Sequence, residues 1–194
     1  MLKRITAVAC LAAALIPELA SAKTPRPLAN VPLHTPDLKG IDLKKYRGKA
    51  MAILIFSTAC RECSVVLNLM GKIQAEYGAQ GLQVIGIAGD PNAKFLLDPF
   101  IQRYRPAFPI GYMSDVEIKK LIDVGKDTAH MAVPILVFVD KWGMVREQYA
   151  GDSPIYHDAE RSIKALSLAM IKVAPVGAIP AKGVPIPQPA APKQ

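Results

Sequence analysis

Cysteine is scarce in this chain of 194 residues: Cys10, Cys60 and Cys63 are all there are. Histidine is as scarce, and His34, His130 and His157 are scattered. A structural zinc centre takes four nitrogen or sulfur ligands. Beside one cysteine pair no second pair of soft ligands exists, so no metal site is expected. Three cysteines also exclude a disulfide-stapled scaffold. The chain has no internal repeat and no dense Lys/Arg run interleaved with aromatics, so nucleic-acid binding is not expected. No apolar run approaches the roughly 20 residues that span a bilayer. The formal charge of +8 instead suits acidic partners or weak association with an anionic membrane surface.

Both ends read as lying outside the folded unit. Residues 1–22 have the form of a secretory signal: Lys3 and Arg4, the apolar run Ile5 to Ile16, and the small-residue site Ala20-Ser21-Ala22. An uncleaved anchor is the rival reading. Lipidation at Cys10 is weakened by Ala7-Val8-Ala9, a poor lipobox. Cleavage would remove Cys10, leave Cys60 and Cys63 as the only thiols, and place the protein in the periplasm or another extracytoplasmic compartment. At the other end, residues 174–194 hold six prolines and show no helical or strand period, as in a disordered or polyproline-like spacer. Residues 23–30 read as a linker and residues 31–173 as one domain.

Within that domain, Val31 to His34 and Ile41 to Leu43 read as short strands around a turn at Lys39-Gly40. Met51 to Phe56 is uninterrupted and apolar, as in a strand covered on both faces. A helical pattern follows from Ser64, with Val66, Leu69, Met70, Ile73 and Tyr77 on one stripe. Gly78 and Gly81 end it. Leu82 to Ala88 is a second buried strand. Asp98-Pro99 reads as the cap and first residue of a helix running to about Arg105. Ser114 caps a helix over 115–124, Ile135 to Val139 is a third buried strand, and Met144 to Ala150 returns after a turn at 141–143. Pro154 to Val173 forms the last helix. The expected fold is α/β, with a mixed central sheet, helices on both faces and the final strand pair antiparallel.

Cys60-Arg61-Glu62-Cys63 stands between the first buried strand and its helix. As a staple the pair is weak: closing a four-residue loop contributes about 1.9 kcal/mol in the chain-entropy account. Reactivity explains it better. A thiolate is the nucleophile in disulfide exchange, and a helix N-terminus stabilises it through unpaired N–H groups and the helix dipole. Cys60 is placed to receive that effect. Cys63, one turn on, is the natural resolving thiol. Arg61 favours a Cys60 thiolate and Glu62 opposes it, and their balance has no sign in the sequence.

These residues resemble the secreted or membrane-tethered thioredoxin-like proteins of the TlpA/ResA type, in the redoxin/peroxiredoxin-related superfamily. The likeness covers about 31–173. It rests on Gly40, Gly48-Lys49, Phe56, Cys60, Cys63, the strand Leu82 to Ala88, Val133-Pro134, Asp140 to Gly143 and Gly151. It implies a thioredoxin-like three-layer fold with an extra N-terminal hairpin and a central insertion. It also implies thiol-disulfide exchange through a Cys60–Cys63 disulfide, without a cofactor. The partners implied are protein disulfides or dithiols, with a membrane electron donor for re-reduction. Pro134 matches the family's cis proline, so Val133 and Pro134 are the expected partner-binding residues. Three positions depart from the pattern: Ala59 and Ser57 stand where aromatics are usual, and Leu54 replaces a buried acid. Asp90 is the candidate proton acceptor in its stead; an Asp-Pro turn or helix start at Asp90-Pro91 is the plainer role. Two other activities fit less well. A copper-handling chaperone would use Cys60 and Cys63 with His130 or Met131, which Pro134 would obstruct. A thiol peroxidase would use Ser57 before Cys60, but it needs a proline where Ile53 stands.

Overall fold

The computed structural model describes residues 24–128 and 131–175. The expected signal at 1–22, Cys10, His130 and nearly all of the expected tail lie outside the described residues.

The sheet is built outward from β2 (Ala50–Phe56), all seven of whose residues are buried. It pairs in parallel with β3 (Leu82–Ala88) over its full length, from Ala50 opposite Leu82 to Phe56 opposite Ala88. On its other side it pairs antiparallel with β5 (Ile135–Val139). β5 continues antiparallel into β6 (Met144–Tyr149), and β3 continues in parallel into β4 (Ile110–Tyr112). With β1 (Arg26–Pro27) on β6 the order is β1-β6-β5-β2-β3-β4.

Period-two alternation along β2 divides the core. Ala52, Leu54 and Phe56 join a cluster with α1 (Arg61–Tyr77), α2 (Ala93–Tyr104) and α4 (Ala159–Lys172). Met51, Ile53 and Ile55 join the opposite cluster, with Ile118, Leu121 and Ile122 of α3 (Asp115–Ile122) and Val31 and Leu33. Two apolar layers on one sheet give the three-layer α/β architecture expected.

Several elements differ from the sequence reading. Arg26–Pro27 falls in the expected linker yet is a sheet strand, because Arg26 reaches the Leu121 carbonyl at 2.9 Å and Gln148 Oε1 at 3.0 Å. The expected hairpin at 31–43 reduces to single bridges, Leu33 with Ile41 and His34 with Tyr112. Strand β4 was not foreseen: three residues are too few to show a period. α1 begins at Arg61, three residues before the apolar pattern. The largest difference is α2. It starts at Ala93, with Asn92 rather than Asp98 at the cap, and Pro99 lies inside it. The stripe Ala93, Leu97 and Phe100 buries at i, i+4, i+7, and this outweighs the backbone bond that Pro99 cannot donate. The carbonyl left over belongs to Phe95, which is exposed to water.

The turn between β5 and β6 is fastened by Asp140, fully buried. Its Oδ1 accepts from the Trp142 and Met144 amides, both at 2.9 Å, and its Oδ2 pairs with Arg146 Nε at 2.6 Å. Replacing it strands two amides and a guanidinium. Asp140→Ala is expected to lower the unfolding free energy by about 3 kcal/mol, measured by urea denaturation of the oxidised protein.

Candidate active site at the start of the first helix

β2 runs into a short loop, Ser57 to Ala59, that sets Cys60 at the N-cap of α1. Cys60 has extended backbone angles (φ −83°, ψ 116°), and its Sγ accepts the Cys63 amide at 3.1 Å. One otherwise unpaired N–H of the helix start is thus directed at the sulfur. Cys60 and Cys63 are joined in a disulfide with α-carbons 5.2 Å apart. Cys63 is 1 % exposed, packed in the cluster that holds Leu54, whereas Cys60 is only half-buried. An incoming sulfur therefore has access to Cys60 and not to Cys63.

Asp90 is brought to this loop from the end of β3. Its Oδ1 accepts the Ser57 hydroxyl at 2.6 Å, and its Oδ2 accepts the Thr58 amide at 2.8 Å. Backbone bonds join the same two chain ends: the Gly89 amide donates to the Phe56 carbonyl at 2.9 Å. Asp90 also accepts the Ala93 amide on its own carbonyl at 3.0 Å, an Asp-Pro turn that precedes α2, whose cap is Asn92. The bond from Ser57, which aims its hydroxyl at Asp90, was not legible because it joins residues 33 apart.

Glu62 Oε2 lies 3.9 Å from Cys60 Sγ. A disulfide sulfur has no proton to donate, so this is proximity and not a hydrogen bond. Of the intervening pair, Glu62 thus stands beside the sulfur at which a thiolate forms on reduction, and its carboxylate opposes that charge. Behind the first turn, Ser64 Oγ lies 3.2 Å from Tyr104 Oη and 3.4 Å from the Cys60 carbonyl. Tyr104 in turn stacks on Phe100, and Phe100 on Phe56, with centroids 4.5 and 5.1 Å apart. This aromatic column ties α2 to the end of β2.

The Val133–Pro134 peptide is cis, as the resemblance implied. Pro134 is buried, and its carbonyl accepts the Tyr156 hydroxyl at 2.8 Å. Burial raises the Tyr156 pKa, so this hydroxyl stays a donor throughout the neutral range. Gly151 closes on the same loop: a Cβ there would stand 2.6 Å from the Val133 carbonyl oxygen. Met131 packs, partly buried, against the apolar cluster on the α3 side. Among the described residues, no group of three or more His, Cys, Asp or Glu is placed to hold a metal.

A mixed sheet between helical layers, a Cys-x-x-Cys disulfide at the N-terminus of the first core helix and a cis proline before β5 define a thioredoxin-fold redoxin. Residues 25–148 match the AhpC/TSA family, and the chain belongs to it. Similar proteins include the thiol-disulfide oxidoreductase ResA of Geobacillus kaustophilus, 26 % identical over 67 % of this chain and 71 % of that protein. ResA of Oceanobacillus iheyensis is 24 % identical over 59 % of this chain. The chain spans only 56 % of the length of that relative. Among solved structures, a thiol:disulfide interchange protein of the thioredoxin family from Chlorobium tepidum superposes with a TM-score of 0.60, at 20 % identity, covering 75 % of this chain and 98 % of that one. A secreted Mycobacterium tuberculosis disulfide oxidoreductase gives a TM-score of 0.52 at 16 % identity, over 70 % of this chain and 96 % of that one.

The Glu62 placement yields a direct expectation. Two charges about 4 Å apart at an exposed site repel by about 1 kcal/mol in water. Glu62→Gln should therefore raise the alkylation rate of reduced Cys60 by iodoacetamide at neutral pH roughly three- to fivefold at low salt. An unchanged rate would show that water screens the carboxylate fully.

Proposed function

We propose that the chain is an extracytoplasmic thiol-disulfide oxidoreductase of the TlpA/ResA type, acting as a reductase on protein disulfides. The observation that carries this reading is the asymmetry of the pair: Cys60 is half-exposed at a helix N-cap, and Cys63 is buried one turn behind it. The Cys60 thiolate attacks one sulfur of a partner disulfide. The partner's S–S bond breaks, a mixed disulfide forms, and the departing partner thiolate takes a proton. Cys63, deprotonated, then attacks Cys60 Sγ and the second partner thiol leaves. Two electrons pass to the partner, and the chain ends as the Cys60–Cys63 disulfide. A membrane-bound dithiol donor returns it to the reduced form. The Cys63 amide, directed at the Cys60 sulfur, and the helix start behind it supply stabilisation that a thiolate needs.

In this reading Val133 and Pro134 form the shelf along which the partner backbone lies. Asp90 holds Ser57 and Thr58 so that Cys60 keeps its place, and it is also the proposed proton acceptor for Cys63. A substitution separates the two roles. Asp90→Asn keeps an acceptor for Ser57 and removes the base. A base role predicts a slower resolving step whose pH dependence is lost; a positioning role alone leaves that dependence intact.

The reading is tested by single substitutions. Cys60→Ser should abolish reduction of a protein disulfide. Cys63→Ser should still attack but stall, so that a mixed disulfide at Cys60 accumulates and is visible by mass spectrometry. Wild-type rates in both variants would refute the proposal. The direction is read from the reduction potential of the pair: a reductase is expected near about −270 mV, whereas an oxidant lies near about −120 mV.

A further inference from the structure

The three parallel strands β2, β3 and β4 all end on one side of the molecule. The loops that follow them therefore lie side by side: Ser57 to Cys60, then Gly89 to Asn92, then Met113-Ser114. The crevice outside the carboxyl ends of parallel strands is where α/β sheets take their ligands. Here it holds an open groove of about 480 Å³ between the second and third loops, on the opposite side of β2 from Val133-Pro134. Asp90 is its shared wall: the carboxylate that lines the groove is the one that holds Ser57 and Thr58. Thr58 is two residues from Cys60, at most about 7 Å of chain. The Asp90 carboxylate on the groove wall thus lies within roughly 10 Å of the Cys60 backbone, a distance that three residues of extended polypeptide cover.

The groove wall is apolar along Pro91, Met113 and Tyr112, whose ring lies 5.4 Å from that of His34. Its charged lining is acidic. Asp90, Asp115 and Glu117 face one lysine, Lys94, on a chain whose overall charge is +8. Each carboxylate is fixed in place: Asp115 by Lys119 at 2.8 Å, and Glu117 by His34 at 3.1 Å and by the Ser114 amide at 2.8 Å. The helix positions beside the lining carry exposed apolar side chains, Phe95 next to Lys94 and Val116 next to Asp115, which are 74 % and 69 % exposed. An apolar channel with fixed carboxylates at its rim suits a side chain with an aliphatic stem and a cationic head.

We propose that this groove docks an arginine or lysine side chain of the partner polypeptide, about three residues from the cysteine that Cys60 attacks. The proposal rests on the thiol-disulfide reading above and adds a specificity site to it. Asp115, Glu117 and Lys94 are its specificity-determining residues. Pairing there holds the partner's disulfide over Cys60 before exchange and raises the rate of mixed-disulfide formation.

The test uses the full chain, reduced beforehand and freed of reductant, in single-turnover reaction with three disulfide-bridged peptides. The peptides differ only in the residue three positions from the attacked cysteine, which is Arg, Leu or Glu. The second-order rate constant should fall in the order Arg, Leu, Glu, with about a tenfold span between the ends at low salt and a smaller one in 0.5 M NaCl. The overall positive charge of the protein would by itself favour the Glu peptide, so an Arg preference reports the groove. Asp115→Lys should shrink the Arg-to-Glu ratio and Lys94→Glu should enlarge it. Opposite movements of one ratio cannot come from a general loss of folding. Equal rates for the three peptides, or a ratio that neither variant moves, overturns the groove assignment and leaves the redox reading standing. Failure to reduce any of the three overturns the redox reading itself.

Discussion

The burial of β2 is the constraint on which the rest of this structure depends. Seven consecutive buried residues must have hydrogen-bonding neighbours on both sides and apolar layers above and below, because an unpaired buried amide costs more than a made bond returns. β3 and β5 supply the neighbours, and α1 with α4 on one face and α3 on the other supply the layers. The redox site follows from this arrangement. A strand that cannot shift delivers Phe56 to a fixed point. The Gly89 amide and the Asp90 carboxylate then tie the loop beyond it to the neighbouring strand end, and Cys60 has little freedom left.

The electrostatics of the site are assembled from short-range groups. The Cys63 amide bonds the Cys60 sulfur, the helix start lies behind it, and Glu62 opposes the charge from the solvent side. Leu54 occupies the place where thioredoxins bury an acid, and it packs in the same apolar cluster as Cys63. Apolar surroundings disfavour a thiolate at Cys63. Half-buried Cys60 is thus the accessible sulfur of the pair, and Cys63 lies in an apolar wall behind it.

Much of this was legible in the sequence, and the reasons differ by element. Met51 to Phe56, Leu82 to Ala88 and Ile135 to Val139 are long apolar runs bounded by turns, so the central strands and the two-sided burial could be read directly. The cis peptide at Val133-Pro134 came from family resemblance, since no local signal separates it from an ordinary strand-start proline. The start of α2 was misplaced because Asp98-Pro99 is a strong local signal for a helix start, while the stripe Ala93, Leu97, Phe100 that overrides it acts only through tertiary packing. β1 and β4 are two and three residues long, and elements so short exist only because neighbours hold them. At the site, the cysteines were plain, but the partners of Asp90 and of Pro134 were not. The bonds from Ser57 to Asp90 and from Tyr156 to Pro134 span 33 and 22 residues, and nothing in the local pattern announces them.

The two outer strands carry a consequence of their own. A sheet edge offers free amides and carbonyls to any other extended chain, and long flat edges invite aggregation. Here one edge is the dipeptide Arg26–Pro27, where the proline has no amide to offer and the arginine is committed to α3 and β6. The other edge is β4, whose outer side is closed by the bridge between His34 and Tyr112. Both outermost elements are thus poor templates for strand addition: β1 offers one amide at most, and Tyr112 of β4 already pairs with His34.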